Sequence, residues 1–146
     1  MKVLPLLLLS VALLTGACGS DSATAPSSTT STTSTPGTGN YDGFEVTLGE
    51  GGSSFFSFNV TTAGAAGVML ASVVHEGQFT PLPIHLRIGI GVPAGEGCSI
   101  TEAVDVLPSL TPQLMTTLPA GIHCVSVDDI GEVTGTVIAA IRFTHT

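Results

Sequence analysis

The sequence predicts an all-β domain, an antiparallel β-sandwich of seven or eight strands, and three observations carry that reading. Charged residues make up only 10 % of the 146-residue chain while Gly numbers 18, a composition that favours short strands and tight turns over helices. From Tyr41 onward apolar side chains recur with period two, and no window shows the 3.6-residue period of an amphipathic helix. Breaks rich in Gly and Pro separate the apolar runs at the spacing expected of a sandwich.

The elements follow in order. Phe44, Val46 and Leu48 alternate with Glu45 and Thr47, and Gly49-Glu50-Gly51-Gly52 turns the chain. Phe56, Phe58 and Val60 form the inward face of a second strand, with Ser57 and Asn59 outward. Gly64 to Gly67 reads as a turn. Val68 to Val74 is apolar on both faces and so belongs in the middle of a sheet. Pro81 and Pro83 mark an irregular connection and an edge. Ile84, Leu86, Ile88 and Ile90 then alternate with His85, Arg87, Gly89 and Gly91, as in a half-buried strand. Pro93 to Gly97 reads as a loop leading to Cys98, and Thr101 to Val106 as a short strand. After a Pro108/Pro112 connection comes a strand at Gln113 to Leu118. The turn Leu118-Pro119-Ala120-Gly121 feeds Ile122 to Val127. Asp128 to Glu132 turns again, and Val133 to Thr144 is the last strand.

Ahead of this domain, assigned to 41–146, the chain has a different character. Lys2 precedes an apolar stretch from Val3 to Leu14, broken only by Pro5 and Ser10. About twelve apolar residues fall short of the roughly 20 that span a hydrocarbon core. A basic start, a short apolar region and small residues at its end match a secretory signal. The run Leu13-Leu14-Thr15-Gly16-Ala17-Cys18-Gly19-Ser20 resembles the lipobox of bacterial lipoproteins, whose leader is cut before a cysteine that carries a diacylglycerol. The resemblance implies that 1–17 is a signal peptide, that Cys18 is a lipidated N-terminus, and that the membrane is a partner through that lipid. Thr15 stands where Leu is usual. The alternative is a plain secretory signal cut after Ala17, giving a secreted protein. Gly19 resembles the sorting pattern for the outer membrane, where the host has one. Ser20 to Asn40 is almost wholly Ser, Thr, Pro, Ala and Gly, so it cannot bury enough surface to offset its ordering entropy. Residues 18–40 are therefore expected to be a lipidated N-terminus and a disordered linker, with a coil reach of roughly 25 Å, stiffened at Pro26 and Pro36.

Three cysteines leave an odd one. The lipobox resemblance resolves the count: Cys18 is alkylated, and Cys98 and Cys124 pair in an oxidising compartment. The alternative is two free thiols. Closing a loop of about 27 residues would stabilise the fold by roughly 3–4 kcal/mol in the chain-entropy model. The formal net charge is −8, and Arg87 and Arg142 are the only basic side chains beyond Lys2. Without a Lys/Arg patch there is nothing to displace counterions from phosphates, which argues against nucleic acid as a partner. Adhesion to anionic lipid through a basic face is disfavoured for the same reason.

Phe56-Ser57-Phe58-Asn59-Val60 comes early, followed by Leu86-Arg87-Ile88-Gly89. Ala120-Gly121-Ile122-His123-Cys124-Val125-Ser126-Val127 then leads into Asp129-Ile130-Gly131, and Thr134-Gly135-Thr136-Val137 comes last. In that order they resemble the bacterial pre-peptidase C-terminal (PPC) domain, over roughly Tyr41 to His145. The resemblance implies a jelly-roll-like β-sandwich without catalytic residues. His123 stands where the family carries an aromatic.

No set of residues assembles into catalytic machinery by motif. His75-Glu76-Gly77 lacks the second histidine of a zinc helix, and no G-x-S-x-G is present. His85 is read as an exposed strand residue beside Arg87, and His123, which shares parity with Val125 and Val127, as a partly buried structural histidine. Asp128, Asp129 and Glu132 put three carboxylates in one turn, the oxygen-rich setting that Ca²⁺ takes, although EF-hand spacing is absent and solvated turn residues are the plainer reading. Whether Asp105 and Glu102 approach each other is left open. The reading that results is not an enzyme and needs no cofactor. It is an exported lipoprotein that displays a binding or structural module at the bacterial cell envelope. A carbohydrate-binding or calcium-assisted module using Tyr41, Phe55 and Phe79 is the alternative, and a small hydrolase built on His75, Asp105 and a serine is the third class.

Overall fold

Two four-stranded antiparallel sheets face one another in the computed structural model, which describes residues 40–146. The leader 1–17, Cys18 and the linker up to residue 39 lie outside the described residues. The strands are β1 (Asn40–Leu48), β2 (Ser53–Val60), β3 (Gly64–His75), β4 (Leu86–Ala94), β5 (Gly97–Val106), β6 (Leu114–Leu118), β7 (Gly121–Asp129) and β8 (Val137–His145). Their order is β1-β8-β3-β6 in one sheet and β2-β7-β4-β5 in the other. Every connection except β4–β5 crosses between the sheets, and this interleaved order is that of a jelly roll. No helix occurs among the described residues.

Period-two patterning fills the space between the sheets. Phe44 and Leu48 of β1, Leu70 and Val73 of β3, and Ile141 and Phe143 of β8 meet Phe58, Ile88, Ile90, Val125 and Val127 from the other side. Leu70 and Val73 are three residues apart, a spacing that strict alternation forbids. A bulge between Leu70 and Ser72 adds the extra residue and returns both side chains to the core. The expected central strand, β3, lies between β8 and β6, and β4 likewise lies between β7 and β5.

Several boundaries differ from the sequence reading: Ile84 lies ahead of β4, and Asp128 and Asp129 end β7 instead of opening a turn. Gly64 to Gly67, expected as a turn, pairs with β6 as the first residues of β3. A Cβ on Gly67 would lie 2.8 Å from the Met115 sulfur, so a larger residue there would displace that side chain. Pro93 to Gly97, expected as a loop, is mostly strand: Ala94 pairs with Gly97 across a two-residue turn, with Gly95 at φ +59°. Strand β5 consequently starts at Gly97 rather than Thr101. The last strand starts at Val137 rather than Val133, although Val133 is buried and packs against the core from the preceding loop.

Cys98 and Cys124 form a disulfide, with Cα atoms 5.9 Å apart. The bond joins β5 to β7, and β4 lies between those two strands. Strands two places apart in a flat sheet are separated by roughly 9.5 Å, so the β4–β5 hairpin has to leave the plane. A register shift between Ile90 and Gly91 marks where it does so, and the β4–β7 pairing stops at Gly91. A Cβ on Gly91 would sit 2.0 Å from the Ser99 carbonyl oxygen, so no side chain fits there. Reducing the bond, or replacing both cysteines by Ala, is expected to cost about 3.5 kcal/mol for the 26-residue separation. Urea unfolding with and without reductant measures it, and identical midpoints would contradict the prediction.

Candidate functional site

The outward face of the β2-β7-β4-β5 sheet is organised by what it lacks. Arg87, Gly89 and Gly91 point outward from β4, opposite Asp128, Ser126 and Cys124 of β7. The two glycines leave a trough into which the folded-back hairpin settles. A Cβ on Gly89 would come within 2.9 Å of Ser126 Oγ and 3.0 Å of Ile100 Cγ2, so Ile100 occupies the place of the missing side chain. The hairpin covers the sheet so closely that Cys124 and Ser126, outward by parity, are both buried.

Between the hairpin tip and β2 a cleft of about 340 Å³ remains. Ser53, Ser54 and Phe55 of β2 and Ser126 and Asp128 of β7 form its floor, and Glu96, Gly97, Cys98 and Ile100 form the overhanging wall. Ser53 Oγ donates to Asp128 Oδ1, and Ser126 Oγ donates to Oδ2 at 3.2 Å. Phe55 and Ile100 give the cleft its apolar lining, and no Lys or Arg lines it. The arrangement offers carboxylates, hydroxyls and one aromatic face to a small polar ligand, and it disfavours an anion.

The three carboxylates expected to share one turn face three different partners. Asp128 belongs to the cleft. Asp129 Oδ1 accepts the backbone N–H groups of Gly131, Glu132 and Val133 at 2.9, 3.0 and 3.0 Å, and its Oδ2 accepts Gly51 N–H at 2.8 Å. It thereby ties the β7–β8 loop to the β1–β2 turn. Glu132 accepts from the His85 backbone N–H at 2.7 Å and lies 3.0 Å from its Nδ1. Among the described residues no group of three or more His, Cys, Asp or Glu side chains is placed to hold a metal.

Other sequence candidates disperse as well. His75 sits on β3 opposite Val137, in the other sheet from Asp105, whose carboxylate takes a bidentate contact from Arg87 at 2.7 and 2.9 Å. That hydrogen-bonded guanidinium holds the Asp105 carboxyl below the usual carboxylate range. Glu102 accepts from Thr116 Oγ1 at 2.8 Å, linking β5 to β6, and does not meet Asp105. Tyr41 lies on β1, Phe55 on the outer face of the other sheet, and Phe79 in the β3–β4 loop, so the three aromatics share no surface. His123 is buried as expected, with Nε2 donating to the Pro119 carbonyl at 2.9 Å.

Two features escaped the sequence reading. His145 is buried at 4 % exposure, with Nε2 donating to Asp42 Oδ2 at 2.9 Å and its ring against Phe58. It clamps β1 to β8, and 103 residues separate the partners, so no local pattern announces the pair. Glu96 joins the cleft only because the hairpin folds back. The alternating Gly89 and Gly91 were the available signal, since two glycines on one face of a strand invite close approach.

Compared with models of protein families and with curated proteins, the chain matches none.

Burial raises the Asp129 carboxyl, but four backbone N–H donors outweigh it and hold the group below its ordinary value. Its folded-state pKa therefore lies under the unfolded one, near 3.9. The stabilisation is complete above that pH and is lost as pH falls through the lowered folded value. Asp129→Asn is expected to cost about 1–2 kcal/mol at neutral pH, with the gap to the parent closing below about pH 4. Urea unfolding at the two pH values checks this, and an unchanged gap would contradict it.

Proposed function

We propose that the chain is a non-catalytic exported lipoprotein, anchored through a diacylglycerol on Cys18, that displays the β-sandwich at a bacterial cell envelope. The observation that carries this reading is the pairing of Cys98 with Cys124. A disulfide of this kind belongs to an oxidising compartment, and it accounts for two of the three cysteines in the sequence, Cys18 being the third. That cysteine follows an apolar leader in a lipobox-like run. The resemblance to the PPC domain is supported by architecture alone: eight strands in jelly-roll order with His123 inside. Growth with labelled fatty acid tests the anchor. Label is expected in the parent and lost in Cys18→Ser, and an unlabelled parent from a native-type host would refute it.

The cleft supports a second reading, a ligand-binding module for carbohydrate or a calcium-assisted ligand, with Phe55 as the stacking face and Asp128 as the acceptor. A glycan array combined with a calcium titration is expected to show binding that Asp128→Ala weakens by about tenfold, the loss of one charged hydrogen bond. Flat responses in both would dismiss this reading.

A further inference from the structure

The β3–β4 and β5–β6 loops leave the sandwich side by side, because Leu86, where the first ends, pairs with Val106, where the second begins. They stay together on the other sheet. Leu82 N–H donates to the Val73 carbonyl and Ser109 N–H to the Leu70 carbonyl, both at 2.8 Å, so both loops lie along the same edge of β3. Each exposes one large apolar side chain almost completely, Phe79 at 96 % and Leu110 at 88 %. The loop tips, residues 77–84 and 107–113, contain no charged side chain, while Glu76 opens the first loop and His85 closes it against Glu132, in a chain of net charge −8.

These tips are built rather than frayed. Thr111 N–H donates to Ser109 Oγ at 3.2 Å, closing a turn around Leu110. Gln113 takes the Leu70 N–H at 2.8 Å and donates back to the Leu107 carbonyl, which fastens the loop to β3. Gln78 N–H donates to the His75 carbonyl at 3.0 Å just ahead of Phe79, and Pro81 bridges to Val74. Two rigid apolar projections with uncharged tips suit a hydrocarbon–headgroup boundary, and the carboxylates of the acidic domain around them repel anionic surfaces.

We propose that these loops are a membrane-docking surface, through which the anchored domain lies against a zwitterionic bilayer with Phe79 and Leu110 inserted. The inference rests on the lipid-anchored reading of Cys18. The linker length favours it. Asn40 sits level with the Ala66–Gly67 end of β3, since Asn40 pairs with His145 and Gly67 with Thr144. The Pro81 bridge is at Val74, so the Phe79 loop lies roughly 25 Å away along the strand. The Ser/Thr/Pro composition of residues 19–39 leads to an expected coil reach of roughly 25 Å. Effective concentration is greatest when linker reach matches the span, so a linker of that reach would bring the loops to the surface that holds the lipid.

The chain contains no Trp, so Phe79→Trp gives a single reporter at a position exposed enough to leave the fold intact. The lipidated full-length variant is reconstituted into phosphatidylcholine vesicles with and without brominated acyl chains. Flotation with the vesicles reports the anchor, and quenching of the tryptophan reports docking. The expected result is flotation with blue-shifted, quenched emission, about tenfold less docking with Leu110→Asp added, and no quenching for Ile122→Trp at the far end of β7. Flotation with unquenched Phe79→Trp overturns docking and leaves the anchor standing. A chain that stays in the aqueous phase removes the anchor and docking together. Blue-shifted emission without vesicles assigns the loops to a second copy of the chain and also overturns the proposal, as does equal quenching at position 122.

Discussion

The β4–β5 hairpin folds back over its own sheet, and the Cys98–Cys124 bond holds it there. A disulfide across an intervening strand is possible only because Gly91 carries no side chain and the register shifts at Ile90. The consequences extend outward from that point. Cys124 and Ser126 become buried on a face that would otherwise be wet. The cleft acquires its overhanging wall, and Glu96 reaches residues of β2 that are more than 40 positions away in sequence. Without the crossing, the outer face of this sheet would be a flat row of Ser, Asp and Phe side chains open to solvent.

Beneath this staple the sandwich is held by ordinary means. Apolar side chains from both sheets interdigitate, and burial of that surface is the main favourable term. The ends are fastened by specific polar contacts. Asp129 gathers four backbone N–H groups at one end, and the buried His145–Asp42 contact joins the first strand to the last. Both are cases of a buried or half-buried polar group whose hydrogen bonds are made by distant parts of the chain, which fixes register as well as contributing stability.

The inward faces were readable from the sequence because a strand side chain's direction depends only on parity. Phe44, Phe58, Ile88 and Val125 were all placed correctly by counting in twos, and His123 was placed with them. The errors fell where a side chain is missing or a partner is remote. Gly64 to Gly67 looks like a turn by composition, yet in the fold it is strand, paired with β6 and lying against Met115 at Gly67. Pro93 suggested a loop, but its place near the hairpin tip puts it where the β4–β7 pairing has already ended, so its missing N–H breaks no bond to β7. The three carboxylates at 128, 129 and 132 looked like one cluster because they are adjacent in sequence. Strand parity and the loop geometry send them to three separate partners.

The account depends on one allocation of sulfur: two cysteines joined across a strand, and the third, Cys18, proposed to carry lipid. Mass spectrometry of the unreduced mature protein tests it most directly. The predicted result is a single linked peptide pair joining Cys98 to Cys124, together with an N-terminal peptide that begins at Cys18 and carries diacylglycerol. Three free thiols, or Cys18 found in a disulfide, would contradict it.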